Sequence, residues 1–133
     1  MSLEQAIHQR WADSSALSAL LPVERLTTGR SAGGEKPYAT IQSLQRQSKL
    51  PTNAGNTVKE VAIELCLWHD DFDVGEQIVE YIQAVFDRAE FNLPDNSALV
   101  RMREVSMSAT HKKDGDWRWK FELLARICTP LGG

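Results

Sequence analysis

Nothing in this 133-residue sequence stays apolar for long. No run approaches the roughly 20 residues a helix needs to cross a bilayer, so no membrane span is expected. Cysteine is scarce, with only Cys66 and Cys128. The opening Met1-Ser2-Leu3-Glu4-Gln5 has neither the basic segment nor the apolar core of an export signal. Together these predict a reducing, intracellular setting and two small buried thiols, which could be neighbours across a sheet, rather than a disulfide framework. Positive charge is not in excess either: 15 Lys and Arg stand against 18 Asp and Glu, for a net charge of −3. Neutralising phosphates takes clustered cations, so nucleic acid is not an expected partner.

What is present fits a single globular domain over residues 1–133. Hydrophobic residues at 42% and charged residues at 25% are enough to fill one core and clothe it. The stretch that organises the chain is 58–91. Val61, Ile63, Leu65 and Leu67 alternate onto one face of a strand. Ala62, Glu64, Cys66 and Trp68 take the other face, which is mixed. After His69-Asp70-Asp71, the residues Val74, Ile78, Ile82, Val85, Phe86 and Ala89 recur at helical spacing. Asp71 or Asp73 would cap that helix, and Asp73 with Glu76 has capping-box spacing. A half-apolar strand and a striped helix must bury each other, which predicts helix on sheet.

Around this unit the chain reads as follows. Leu3, Ala6, Ile7 and Trp11 mark a first helix opened by Ser2 and Gln5. Asp13-Ser14-Ser15 interrupts it and offers a cap for a second helical turn, stopped at Pro22. Residues 23–26 read as a short edge strand and 27–36, with Gly29, Gly33 and Gly34, as a loop. Residues 37–45 form a strand, 47–57 a second loop, and 98–110 a strand with an irregularity near Glu104. Asp114-Gly115 marks a hairpin turn. Beyond it Trp117, Trp119, Phe121, Leu123, Ala125 and Ile127 share one strand face. The expected fold is α+β: a largely antiparallel sheet of about four main strands with two helices packed on one face.

No constellation carries chemistry. His69-Asp70-Asp71-Phe72-Asp73 resembles a metal site only in composition, and helix capping accounts for its acidity. Glu60 and Glu64 would stand about 13 Å apart along a strand, too far to share a proton. The hydroxyls of Ser14, Ser15, Thr27, Thr28 and Ser31 have no His or Asp placed beside them. Gly33-Gly34 lacks the Lys-Thr of a phosphate loop. No enzyme activity, cofactor or metal is therefore expected. Arg101, Arg103, Lys112, Lys113, Arg118, Lys120 and Arg126 gather on the last hairpin, with Glu104, Asp114, Asp116 and Glu122 to balance them. Trp68, on the face away from the apolar one, is left for another subunit to cover if the helices occupy a single face.

The opening Ser2-Leu3-Glu4-Gln5-Ala6-Ile7, the Ala-Leu-rich 16–21 and the Pro37-Tyr38 entry to a strand form one set of landmarks. The strand ending in Trp68 and the hairpin return carrying Trp117, Arg118 and Phe121 form another. Together, over nearly the whole chain, they resemble a family of small phage tail-completion, or tail-terminator-like, proteins. The resemblance implies a non-enzymatic structural protein of a phage or prophage tail, acting in tail completion and head–tail joining. It implies a ring-forming homo-oligomer, with tail-tube and head-connector proteins as partners. It places the chain in the virion tail, or in the host cytoplasm before assembly. Trp68, Arg101, Arg118 and Lys120 are then the candidate interface residues, and 27–36 and 47–57 the candidate contact loops. The alternative is a nucleic-acid or small-ligand binding module using the basic face of the C-terminal hairpin.

Overall fold

A computed structural model of the chain describes residues 3–28, 37–51, 56–93, 98–111 and 115–130, with the side chains of 43–51, 56–57 and 130 outside that description. Three α-helices, α1 (Leu3–Asp13), α2 (Ser15–Leu20) and α3 (Phe72–Phe86), accompany six strands. These are β1 (Leu26–Thr28), β2 (Tyr38–Pro51), β3 (Asn56–His69), β4 (Ala89–Asn92), β5 (Leu99–His111) and β6 (Trp117–Pro130). The strands form one sheet in the order β1-β2-β3-β6-β5-β4. The class is α+β, as expected. The expected four strands are the long ones, and short β1 and β4 are added at the two edges. Because β1 runs parallel to β2 while every other pair is antiparallel, the sheet is mixed.

The long strands in the middle of the sheet, β3 and β6, pair along their whole length, from Asn56 with Pro130 to His69 with Trp117. Period two then decides the layers. Val61, Ile63, Leu65 and Leu67 of β3 and Trp119, Phe121, Leu123 and Ala125 of β6 are buried on one side. The helices supply the other half of that core through Ile7 and Trp11 of α1, Leu17 of α2, and Ile78, Ile82 and Phe86 of α3. Each large aliphatic side chain taken fully from water contributes about 1.5–3 kcal/mol. Leu65, with no exposed surface, sits at the centre. Truncating it to Ala is expected to cost about 2–5 kcal/mol.

Side-chain caps set the helix bounds. Ser14 Oγ accepts the Leu17 N–H at 3.3 Å and starts α2. Asp71 Oδ1 accepts the Val74 N–H at 3.1 Å and starts α3, so Asp71 rather than Asp73 is the cap. The α2 turn is held to α1 by the Trp11 indole, whose Nε1–H donates to the Leu21 carbonyl at 2.7 Å. At its far end α3 stops at Asp87, and Arg88 turns the chain with a φ of 58°. Gln83 donates to Glu104 Oε1 at 2.9 Å, and Asp87 Oδ1 accepts the Glu104 N–H at 2.9 Å. The end of α3 is thereby fastened to the point where β5 shifts register against β6, between Glu104 and Ser106.

Three expectations change. Residues 23–25 form a 3₁₀ turn, and the edge strand comes just after, at Leu26–Thr28. Most of the expected loop 47–57 is strand: β2 continues to Pro51 after a register shift between Ser43 and Gln47, and β3 begins at Asn56. Ala89 belongs to β4, not to the helix. The cap of the first helix at Ser2, most of the loop 27–36 and the turn residues 112–114 lie outside the described residues.

Candidate functional site

All helical packing falls on the odd-numbered side of β3 and β6, so among the described residues no helix lies over the even-numbered side. Cross-strand register places its side chains in rows. Tyr38, Trp68, Arg118 and Thr110 form the first; Thr40, Cys66, Lys120 and Ser108 the second; Gln42, Glu64, Glu122 and Ser106 the third. Further along, Glu60, Arg126 and Arg101 share a row with Glu90 of β4. The four candidate residues Trp68, Arg101, Arg118 and Lys120 therefore lie on one face. Trp68 and Arg118 are direct neighbours at one end, Lys120 is one row in, and Arg101 is at the far end.

Trp68 is half-buried although no described helix covers it. Tyr38 supplies the cover: the two rings stack with centroids 4.9 Å apart and planes 22° from parallel. A stacked aromatic pair presents a broad, stiff, amphipathic surface that loses little side-chain entropy on contact. Arg118 alongside is half-buried, and its Nε is enclosed with no hydrogen-bond partner among the described residues.

The cations of this face are interleaved with carboxylates. Lys120 Nζ lies 3.6 Å from Glu64, Arg126 Nε 2.8 Å from Glu60, and Arg101 Nε 3.1 Å from Glu90. Exposed pairs of this kind contribute under about 1 kcal/mol each, but they cancel the field a polyanion would need. Glu60 and Glu64 are partners of these cations and not an acid–base pair. Among the described residues, positive charge is denser at the β4 edge. There Arg88, Arg101, Arg103 and Arg126 line a cleft of about 350 Å³ with Glu90 and Leu124.

Other candidates take structural places. His69 is buried, and its Nδ1 accepts the Asp71 N–H at 2.9 Å, joining the turn that caps α3. Among the described residues, no three His, Cys, Asp or Glu groups converge as a metal site. Cys66 and Cys128 are both free; they lie far apart along the paired strands, opposite Lys120 and Val58 respectively. Burial, with the Glu64 carboxylate beside it, pushes the Cys66 thiol up to about 11. No described helix is long and apolar enough to cross a membrane.

Two features escaped the sequence pattern. The Tyr38 stack depends on which residue β3 meets across the sheet, and no local spacing records that. On the opposite face, His111 and Phe72 pack on Trp117 with centroids 4.5 and 4.6 Å away. Phe72 is 39% exposed although it begins a core helix. An aromatic just after an N-cap was the available signal.

Comparison with known proteins completes the picture. Residues 5–127 match the family model described as Tail completion protein gp17. A chain in the solved virion of the native gene transfer agent (GTA) particle superposes with a TM-score of 0.68, covering 96% of this chain and 95% of that one at 13% identity. At that identity the likeness is one of fold. No curated protein sequence matches the chain.

Proposed function

The chain belongs to the tail completion protein gp17 family, and from that premise we propose that it closes a phage or prophage tail as one subunit of a ring. It is a structural protein of the tail and works by protein–protein contact. The helix-free sheet face carrying Trp68, Arg118 and Lys120 is its contact face in the assembly, with Arg101 at the far margin. Tail-tube and head-connector proteins are the partners of that assembly. We further read the chain as having no catalytic role.

One observation carries the assignment of the face. An extended sheet surface holds a stacked Tyr38–Trp68 pair and an enclosed, unpartnered guanidinium nitrogen on Arg118, and no element among the described residues lies over it. Aromatic residues and Arg are the types that concentrate binding energy when a second surface closes over them. The ion pairs around them give register rather than affinity. In a ring, one patch of each subunit meets a different patch of the next, and closure fixes the copy number.

Trp68→Glu tests the reading. Trp68 lies outside the core, so circular dichroism and the thermal midpoint are expected to stay near wild type while assembly, read as solution mass by light scattering, is lost. Wild-type assembly in a folded Trp68→Glu variant would remove this face from the proposal.

A further inference from the structure

The sheet has an open edge on each side. On one side β4 pairs only with residues 99–102 of β5, so 103–111 have no strand beside them among the described residues. On the other side β1 pairs only with 39–41 of β2, so among the described residues 42–51 have no strand beside them on that edge. The open part of β5 is unguarded. Residues 105–110 read Val-Ser-Met-Ser-Ala-Thr, with no charge and no proline. Val105 is 48% and Met107 39% exposed. Soluble proteins blunt open edges with lysines, prolines or very short strands, because unpaired N–H and C=O groups invite another chain. Here those devices stop at Glu104.

We propose that the open half of β5 receives the open half of β2 from a second copy of this chain, so that the sheet continues from subunit to subunit. The inference rests on the ring reading above and adds a joint at the sheet edges to the contact made by the Trp68 face. Three features of the fold support this occupant. First, the sense of the strands is right. Between β2 and β5 the direction reverses three times, through β3 and β6. Copies related by rotation about an axis along the strands therefore bring β5 and β2 together antiparallel, the stronger ladder. Second, the lengths match, since 103–111 and 42–51 are nearly equal spans.

Third, the stagger is the one a closed sheet produces. Measured against β3, the open half of β2 lies opposite residues 57–64 and the open half of β5 is level with 62–69. The two are offset by about five residues, roughly 16 Å at 3.3 Å per residue. Strands in a closed sheet tilt by about 35–45° to the axis. Across four strands spaced about 4.8 Å apart, a tilt of about 40° displaces the neighbour by roughly 16 Å. The short strands β1 and β4 then occupy the parts of each edge that the neighbour does not reach.

The test pairs solution mass with backbone hydrogen exchange, on the wild type and on a Val105→Lys/Met107→Lys double variant. Both positions are exposed in the single subunit, so the variant is expected to keep wild-type circular dichroism and thermal midpoint. The expected result is a closed wild-type oligomer in which the edge-pointing amides of 105–110 and 42–50 exchange at least tenfold more slowly than in the variant, and a variant that is monomeric. A variant that keeps the wild-type oligomer, or edge amides that exchange freely inside it, overturns the edge joint and leaves the ring reading standing. Protection of 105–110 without 42–50 in a two-copy particle reassigns the edge to self-pairing and overturns the β2 partner. A wild type that is monomeric at every concentration overturns the ring, and the joint with it.

Discussion

Gly75 lies against the Trp119 indole, so close that a Cβ on the glycine would overlap the ring atoms. The glycine sits in the first turn of α3, where Ala would ordinarily favour the helix by about 1 kcal/mol. Contact decides otherwise. Trp119 is fully buried, and its Nε1–H is held by Glu76 at 3.1 Å, so the ring has nowhere to move. Overpacking a tight core costs about 1–3 kcal/mol, and a clash with a fixed ring belongs at the upper end. Gly75→Ala is expected to destabilise the fold by about 2 kcal/mol net, seen as a lower urea midpoint with an unchanged m-value. A midpoint at or above wild type would show that the indole can yield.

Arg10 ties α1 to the end of α3. Its Nη2 donates to the Val85 carbonyl at 2.9 Å, and its guanidinium lies 4.7 Å from the centre of the Phe91 ring. The carbonyl is one of those a helix C-terminus leaves unpaired. Arg10→Ala is expected to cost about 1–2 kcal/mol, the sum of a charged hydrogen bond and a cation–π contact. Arg10→Lys is expected to recover little of it, because an ammonium cannot lie flat on the ring and reach the carbonyl together. Equal midpoints for the wild type and the Lys variant in a denaturant titration would refute the planar role.

The Cys66 thiol is expected to resist modification in the native protein. Raised to about 11 by burial and by Glu64, it holds far less thiolate at neutral pH than an ordinary cysteine. Colorimetric thiol titration should leave Cys66 unreacted until denaturant is added, with Cys66→Ser as the control. The same shift has a linked effect. The folded state keeps the neutral thiol, so this contribution is whole below the unfolded pKa and declines as pH rises towards about 11. Rapid labelling of Cys66 at neutral pH would contradict it.

His8 behaves in the opposite sense. Burial lowers its pKa from 6.5 in spite of Glu4 nearby, and its Nε2 lies 3.2 Å from Thr28 Oγ1. Below 6.5 the unfolded chain binds the proton first, so stability is lost as pH falls from 6.5 towards the folded value. His8→Gln should flatten the stability profile in that window and leave it unchanged above pH 7. A profile with the wild-type slope would assign the loss to other groups.

Much of this architecture is legible in the residues because one rule, burial of one face, writes a period. The alternation of Trp117, Trp119, Phe121 and Leu123 and the stripe of Ile78, Ile82 and Phe86 both describe what they touch. Where a strand is held by its neighbour instead, the period fades. Residues 47–51 are Gln, Ser, Lys, Leu and Pro, which read as loop, yet they pair with β3 once a register shift has been absorbed. Ala89 keeps helical spacing with Phe86, so β4 is masked by the helix before it; the break is at Arg88, whose positive φ is unusual for a residue other than glycine. Trp68 is readable as facing away from the core, since period two places it there. Its partner Tyr38 is set by a long-range register that no local pattern contains.

The register shift between Glu104 and Ser106 also divides β5 by the work its residues do. Before it, Val100 and Met102 are buried in the core; after it, every residue to His111 is exposed. Exposed positions without special contacts tolerate exchange within about 0.5 kcal/mol. Residues 105–110 can therefore be rewritten almost independently of the fold. A change of partner would demand no compensating change inside the domain, and an engineer could alter which copies recognise one another by editing six adjacent codons.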